Sequence, residues 1–291
     1  MKILKRISLL ILAGMVALPT LAAPKRVLVV TTTTGFRHSS IGVAERVIAE
    51  LGTRSGAFTV DYARVENGDA KFKGADGKED KTKSHAAIKE VLAEKMSRAA
   101  LANYDAVIFA NTTGDLPLPE REALLDFVKA GKGFVGVHSA TDTFPGYPDY
   151  IDMIGGQFLR HGAQVEVDII NQDKSCAACR HLPESWKVFD EIYQLKKFDR
   201  AKVHGLLTLD KHPNDKTPGD YPIAWQKNYG AGRVVYTSLG HREDVWSPEE
   251  GNRKNSPEVA KAFQQHLLGA IKWALKLDEA EGAAKKDKSA N

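Results

Sequence analysis

Short apolar runs alternate along this chain with longer stretches whose apolar residues recur at helical spacing, and that rhythm limits the folds open to it. Val27–Val30, Tyr104–Ala110 and Gly133–Val137 are dominated by apolar side chains, as strands covered on both faces of a parallel sheet require. Phe58–Tyr62 alternates and reads as the second strand in chain order. Between them Ile41–Leu51 carries a stripe of Val43, Ala44, Val47, Ile48 and Leu51. Ala86–Ala99 reads as a second helix, and Leu118–Ala130, with Pro119 near its start, as a third. This βαβαβαβ order predicts an α/β fold built on a doubly wound parallel sheet.

After Val137 the pattern changes. Val165, Val167 and Ile169 alternate with Gln164, Glu166 and Asp168, so that strand has one wet face. Further strands are predicted at Glu191–Lys196, Val203–Leu209, Ile223–Gln226 and Arg233–Ser238, as an antiparallel or mixed extension of the sheet. A long helix over Ser256–Lys276 closes one domain spanning residues 24–277. Glu66–Lys83 is polar and predicts a solvated loop, and residues 278–291 predict a disordered tail.

The first 23 residues read differently. Lys2, Lys5 and Arg6 precede the apolar run Ile7–Leu18, then Pro19 and the small-residue stretch Thr20–Ala23. That is the layout of a secretory signal peptide cut after Ala22 or Ala23, and its apolar run falls short of the roughly 20 residues that span a bilayer. The expectation is a periplasmic or secreted protein without stable membrane insertion after cleavage. The whole chain has 41 Lys and Arg against 37 Asp and Glu, and removing the three leader cations leaves 38 against 37. The basic excess that would suggest a nucleic-acid partner therefore leaves with the leader. Cys176 and Cys179 form a Cys-Ala-Ala-Cys segment between polar stretches, read as a loop. In an oxidising compartment a local disulfide is expected there, with a redox dithiol as the rival.

In a doubly wound sheet, ligands bind beyond the carboxyl ends of the parallel strands. The first strand leads into Thr33–Ser40, where Gly35 allows a tight turn and His38 precedes the helix. The third strand leads into Asn111-Thr112-Thr113-Gly114-Asp115. The fourth ends in His138-Ser139-Ala140-Thr141-Asp142, a strand-end turn that in related architectures presents a nucleophile. His241 follows Gly240 directly after another apolar strand, and His161 follows Gly155-Gly156-Gln157-Phe158. Histidine titrates near neutrality and suits acid–base work or metal ligation. His138 and His241 are therefore the candidate catalytic groups, with Asp142 and Asp244 placed to orient them. Of Asp190 and Glu191, only one side chain can face inward if the pair lies on a strand. Trp225, Trp246 and Tyr193 are candidate stacking faces for a ligand ring. There is no Gly-x-Ser-x-Gly elbow, P-loop or His-Glu-x-x-His, which removes the serine-hydrolase, nucleotide-hydrolase and zincin readings.

Thr34–Ile41, Gly133–Thr141, Gly155–Phe158 with His161, Asp190–Tyr193, Pro222–Trp225 and Gly232–His241, in this order, resemble the motifs of the ThuA-like (trehalose-utilisation) family. The resemblance implies a flavodoxin-like, three-layer fold of the class I glutamine amidotransferase-like superfamily, and a role in disaccharide or oxidised-sugar catabolism. In amidotransferases of that superfamily the fourth-strand turn carries a catalytic Cys. The matching position here is His138, so glutamine hydrolysis through a thiolate at that turn is excluded. The expected partner is a small carbohydrate, contacted by His38, Asn111, Thr112, Ser139 and Trp225. His138, His161, Glu191 and His241 could hold a divalent metal. The second reading is a non-catalytic carbohydrate-binding protein using the same pocket.

Overall fold

The computed structural model describes residues 23–66 and 68–278; the expected leader and the tail beyond Asp278 lie outside the described residues. The elements are β1 (Lys25–Val30), α1 (Ile41–Ser55), β2 (Phe58–Ala63), α2 (Lys81–Met96), α3 (Arg98–Leu101), β3 (Ala106–Ala110), α4 (Arg121–Lys129), β4 (Gly133–Val137), α5 (Pro148–Ile154) and β5 (Gln157–His161). They continue as β6 (Val165–Asn171), β7 (Ser185–Asp190), β8 (Tyr193–Lys196), β9 (His204–Lys211), β10 (Pro218–Tyr229), β11 (Gly232–Thr237), α6 (Glu243–Trp246) and α7 (Pro257–Ala274).

Nine strands form one sheet in the order β2-β1-β3-β4-β11-β10-β9-β6-β7, while β5 and β8 pair separately. From β2 to β11 all neighbours are parallel; from β11 through β10, β9 and β6 to β7 all are antiparallel. The extension is therefore nearly as wide as the parallel core. The apolar runs are continuous because both faces are covered. Val27 and Val29 pack toward α1 and α7, while Leu28 and Val30 pack toward α2, α4 and α5. Parallel register brings Val137 level with Ala110 and Thr237, so β3, β4 and β11 end at one edge. β2 and β3 flank β1 on opposite sides, which makes the gap between β1 and β3 a topological switch point.

Several boundaries move. α2 starts at Lys81 rather than Ala86, because the Asp80 carboxylate caps it by accepting from the Thr82 and Lys83 amides. Residues 66–83 are not wholly solvated, since Phe72 in a short turn packs against Ile88, Leu92 and Met96. Pro119 lies just outside α4, which begins at Arg121. α5, β5 and β7 were not anticipated. Among the described residues no helix is long and apolar enough to cross a membrane.

Cys176 and Cys179 of the Cys-Ala-Ala-Cys loop are both buried, as free thiols. Hydrogen bonds close the loop. The Cys179 and Arg180 amides donate to the Cys176 carbonyl at 3.0 and 2.9 Å, and Asn171 Nδ2 donates to the Cys179 carbonyl at 3.0 Å.

Candidate active site

The strand ends at this edge take unusual backbone conformations. Asn111, after β3, has φ of 56°, and His138, after β4, has φ of 50°. Left-handed conformations at non-glycine residues cost about 1–3 kcal/mol and persist only where neighbours over-determine them. Asn111 Nδ2 donates to Ser40 Oγ at 2.7 Å and to the Gly240 carbonyl at 2.9 Å, tying three strand-end loops together. His138 Nδ1 donates to the Ser238 carbonyl at 2.8 Å, and the Tyr236 hydroxyl donates to the His138 carbonyl at 2.7 Å. With Nδ1 donating, the lone pair of His138 is on Nε2.

That lone pair points into a cluster. The rings of His38, His138 and His241 stand edge to face, with centroids 4.8 to 5.2 Å apart. His138 Nε2 lies 3.3 Å from His241 Nδ1, and Glu191 Oε1 lies 3.3 Å from His241 Nδ1 and 3.8 Å from His138 Nε2. His38, His138, Glu191 and His241 each offer a ligand atom, all within 4.8 Å of one another. The second carboxylate oxygen, Oε2, faces His161 Nδ1 at 3.1 Å. His38 Nδ1 lies 3.4 Å from Ser139 Oγ, and the Tyr193 ring covers His138 at 4.4 Å between centroids. His138 is fully buried, while His241 is 20% and His161 45% exposed, so the cluster meets solvent through those two rings.

The environments separate the protonation preferences. Burial, and then the neighbouring His241, pulls His38 down to about 4. Burial, with His38 and His241, holds His138 well below the ordinary histidine range. Burial would lower His241 as well, but the hydrogen bond and charge of Glu191, with Asp190 behind, outweigh it and raise the imidazole. Asp190 is pushed up to about 6 by burial, against the opposing pull of the Gly240, Glu191 and Arg242 amides.

Residues 26–274, which supply every member of this cluster, match the profile of the family described as ThuA, trehalose utilisation. The chain belongs to the ThuA family. Among solved structures, a ThuA-like protein from Bacteroides uniformis is similar at 19% identity, over 89% of this chain and 94% of that one, with a TM-score of 0.62. Another, from Parabacteroides merdae, is 20% identical over 87% of this chain and 90% of that one, with a TM-score of 0.60. Among curated proteins no sequence matches. At these identities the structural likeness carries the fold alone.

Within this ThuA domain the anticipated residues divide. His138, His241 and Glu191 converge, and His38 joins them as the nearer third imidazole in place of His161. Asp142 does not orient His138, whose Nδ1 is taken by Ser238. Its own carboxyl is raised by burial. Asp244 turns away from His241: it pairs with Arg242 at 2.8 Å and accepts from the Lys254 and Asn255 amides at 2.5 and 2.9 Å. Trp225 is core, not a stacking face, with no exposure and its Nε1 on the Ile154 carbonyl at 2.8 Å. Trp246 is likewise buried and donates to the Gly240 carbonyl at 2.9 Å. The Thr112 hydroxyl is occupied by Thr143 at 2.7 Å. Asp190 and Glu191 both point inward, because the chain leaves β7 at Asp190 and strand alternation no longer applies. Asp190 accepts from the Gly240 and Arg242 amides at 2.7 and 3.2 Å, fixing the loop that carries His241. Sequence reading missed Phe36, which is 66% exposed with its ring edge-on to His38 at 4.9 Å.

Proposed function

We propose that this ThuA-family chain is an exported enzyme of sugar catabolism that acts on a disaccharide or keto-sugar derivative by His/carboxylate acid–base chemistry. The observation that carries the reading is the convergence of three imidazoles and one carboxylate beyond the ends of the parallel strands, opening to solvent through His241 and His161. A keto group acidifies the C–H bond beside it. A base at hydrogen-bond distance removes that proton, and an acid protonates either the carbonyl oxygen, giving an enediol, or a departing substituent. His241 faces incoming substrate. Glu191 and His138, each 3.3 Å from its Nδ1, hold or relay the proton. The fourth-strand turn offers an imidazole and no thiol, and the two cysteines lie in the loop between β6 and β7.

The test is to incubate residues 24–291 with trehalose, methyl glucoside and their 3-keto derivatives and follow products by NMR. Turnover of at least one carbonyl derivative is expected, falling about 10²–10⁴-fold in His138→Ala and His241→Ala. Full activity in both folded variants overturns the assignment, and saturable sugar binding without product leaves a binding protein instead. Export is tested separately: when the chain is expressed with its own leader, the periplasmic product should begin at Ala23 or Pro24. Recovery of an intact Met1 terminus in the cytoplasm would contradict it.

A further inference from the structure

We infer that His38, His138, Glu191 and His241 form a binding site for one divalent first-row ion of the zinc or cobalt class. Three of the donor atoms already sit near the corners of a small polyhedron. The separations among His138 Nε2, His241 Nδ1 and Glu191 Oε1 are 3.3, 3.3 and 3.8 Å. Ligands held at ~2.1 Å around a tetrahedral ion stand ~3.4 Å apart. A single proton can bridge only one of these three pairs at a time, whereas an ion between them satisfies all three. His38 brings the fourth donor within the 4.8 Å spread of the group.

The surroundings fit a metal better than an ion pair. Every ion-pair partner of Glu191 among the described residues is an imidazole, with no lysine or arginine on it. The groups behind the donors are also in place, and such outer contacts orient metal ligands. The Ser238 carbonyl fixes the His138 tautomer, Ser139 Oγ meets His38, and His161 holds the outer Glu191 oxygen. Three nitrogens and one oxygen favour zinc, cobalt or a similar ion over magnesium or calcium, which prefer oxygen sets. His161 is on this geometry a positioning residue and not a ligand. The inference deepens the reaction proposed above: an ion on these atoms would replace the proton relay among them and, by expanding to five-coordination, would polarise a sugar carbonyl. It rests on that reading only for this role, since binding can be measured without turnover.

The experiment is metal analysis of the chelator-stripped protein after dialysis against a small molar excess of zinc, together with visible spectroscopy of the cobalt form. One ion per chain is expected, with cobalt bands of low coordination number. His241→Ala, a partly exposed position whose loss spares the core, should lose that ion, as should Glu191→Gln and His38→Ala. His161→Ala should keep one ion per chain with about 10–100-fold weaker affinity. Substoichiometric metal in the parent protein, or full occupancy surviving in His241→Ala and Glu191→Gln with circular dichroism unchanged, overturns the site. Metal binding without turnover would remove the proposed reaction and leave this site standing. Chelator-insensitive turnover by a metal-free protein would leave the reaction standing and remove the ion's part in it.

Discussion

His266 and His138 are both imidazoles without solvent exposure, yet their surroundings ask different things of them. His138 has polar partners at both nitrogens. His266 Nδ1 donates to the Ala178 carbonyl at 2.9 Å, while its Nε2 is buried with no partner. Burial, and then the nearby His181, pulls His266 down to about 4 from an ordinary 6.5. A group with a depressed pKa is neutral in both states above pH 6.5, so its contribution is fully present there. As pH falls toward 4 the unfolded chain takes up the proton first, and stability is lost across that window. The loss from this one group is about 3 kcal/mol. Urea midpoints measured between pH 7.5 and 4 should therefore fall less steeply in His266→Leu than in the parent; parallel pH profiles would contradict this account. At this scale the sequence exposed His138 and His241, because an apolar strand that ends abruptly in histidine is visible without coordinates. Glu191 enters beside them with the family motif Asp190–Tyr193. Nearness in sequence misleads for Asp142 and Asp244: Ser238 takes His138 Nδ1, and the loop at Lys254–Asn255 takes Asp244 for its amides.

Elements whose apolar residues are continuous or periodic were legible; those that bury few residues were not. β7 shows a clean alternation, with Trp186, Val188 and Asp190 inward, but as the edge strand of the sheet it offers only those three. The separate β5–β8 pair has a register shift between Phe158 and Arg160, which breaks the period a reader would look for. Close approach between elements was also hidden, and Gly269 in α7 is the clearest case. A Cβ there would collide with the Ala177 carbonyl oxygen and lie 2.7 Å from Ala178 Cα. The helix thus packs backbone to backbone on the Cys176–Cys179 loop, with His181 Nε2 against the Ala262 carbonyl at 2.9 Å as a second tie. Gly269→Ala would gain slightly in helix propensity, but the overpacking term, about 1–3 kcal/mol, is larger and decides the sign. The variant should unfold at lower urea concentration, and its two thiols should react faster with a maleimide under native conditions. Unchanged thiol reactivity would mean that α7 does not hold the loop closed.

For the molecule as a whole, the parallel core followed from the alternation of runs, but how far the sheet continues did not, because long-range antiparallel register leaves no local mark in the sequence. That part has functional weight. The parallel core supplies His38 and His138 at the ends of β1 and β4, and β11 leads into His241. Glu191 comes from the far side, on the connection between β7 and β8. The β6–β7 hairpin joins the rest of the sheet through a short ladder: Ile170 opposite Thr208, Asn171 opposite Leu207, and the Gln172 amide on the Leu206 carbonyl at 2.9 Å. Further ties include Asp190 on the Gly240 and Arg242 amides, and Asn255, which bonds both the amide and the carbonyl of Phe189. A unit held by few bonds opens below the free energy of global unfolding. In native-state hydrogen exchange the amides of β6 and β7 should therefore exchange before those of β1, β3 and β4, whose strands are flanked and covered on both faces. Asp190→Ala should speed exchange in the hairpin while leaving β1, β3 and β4 unchanged, because it removes a tie between the two halves without touching the parallel core. If the hairpin exchanges as slowly as β3 and β4, or if Asp190→Ala accelerates every strand equally, the two halves open as one unit. In that case Glu191 is held in the cluster by the global fold and not by these local ties.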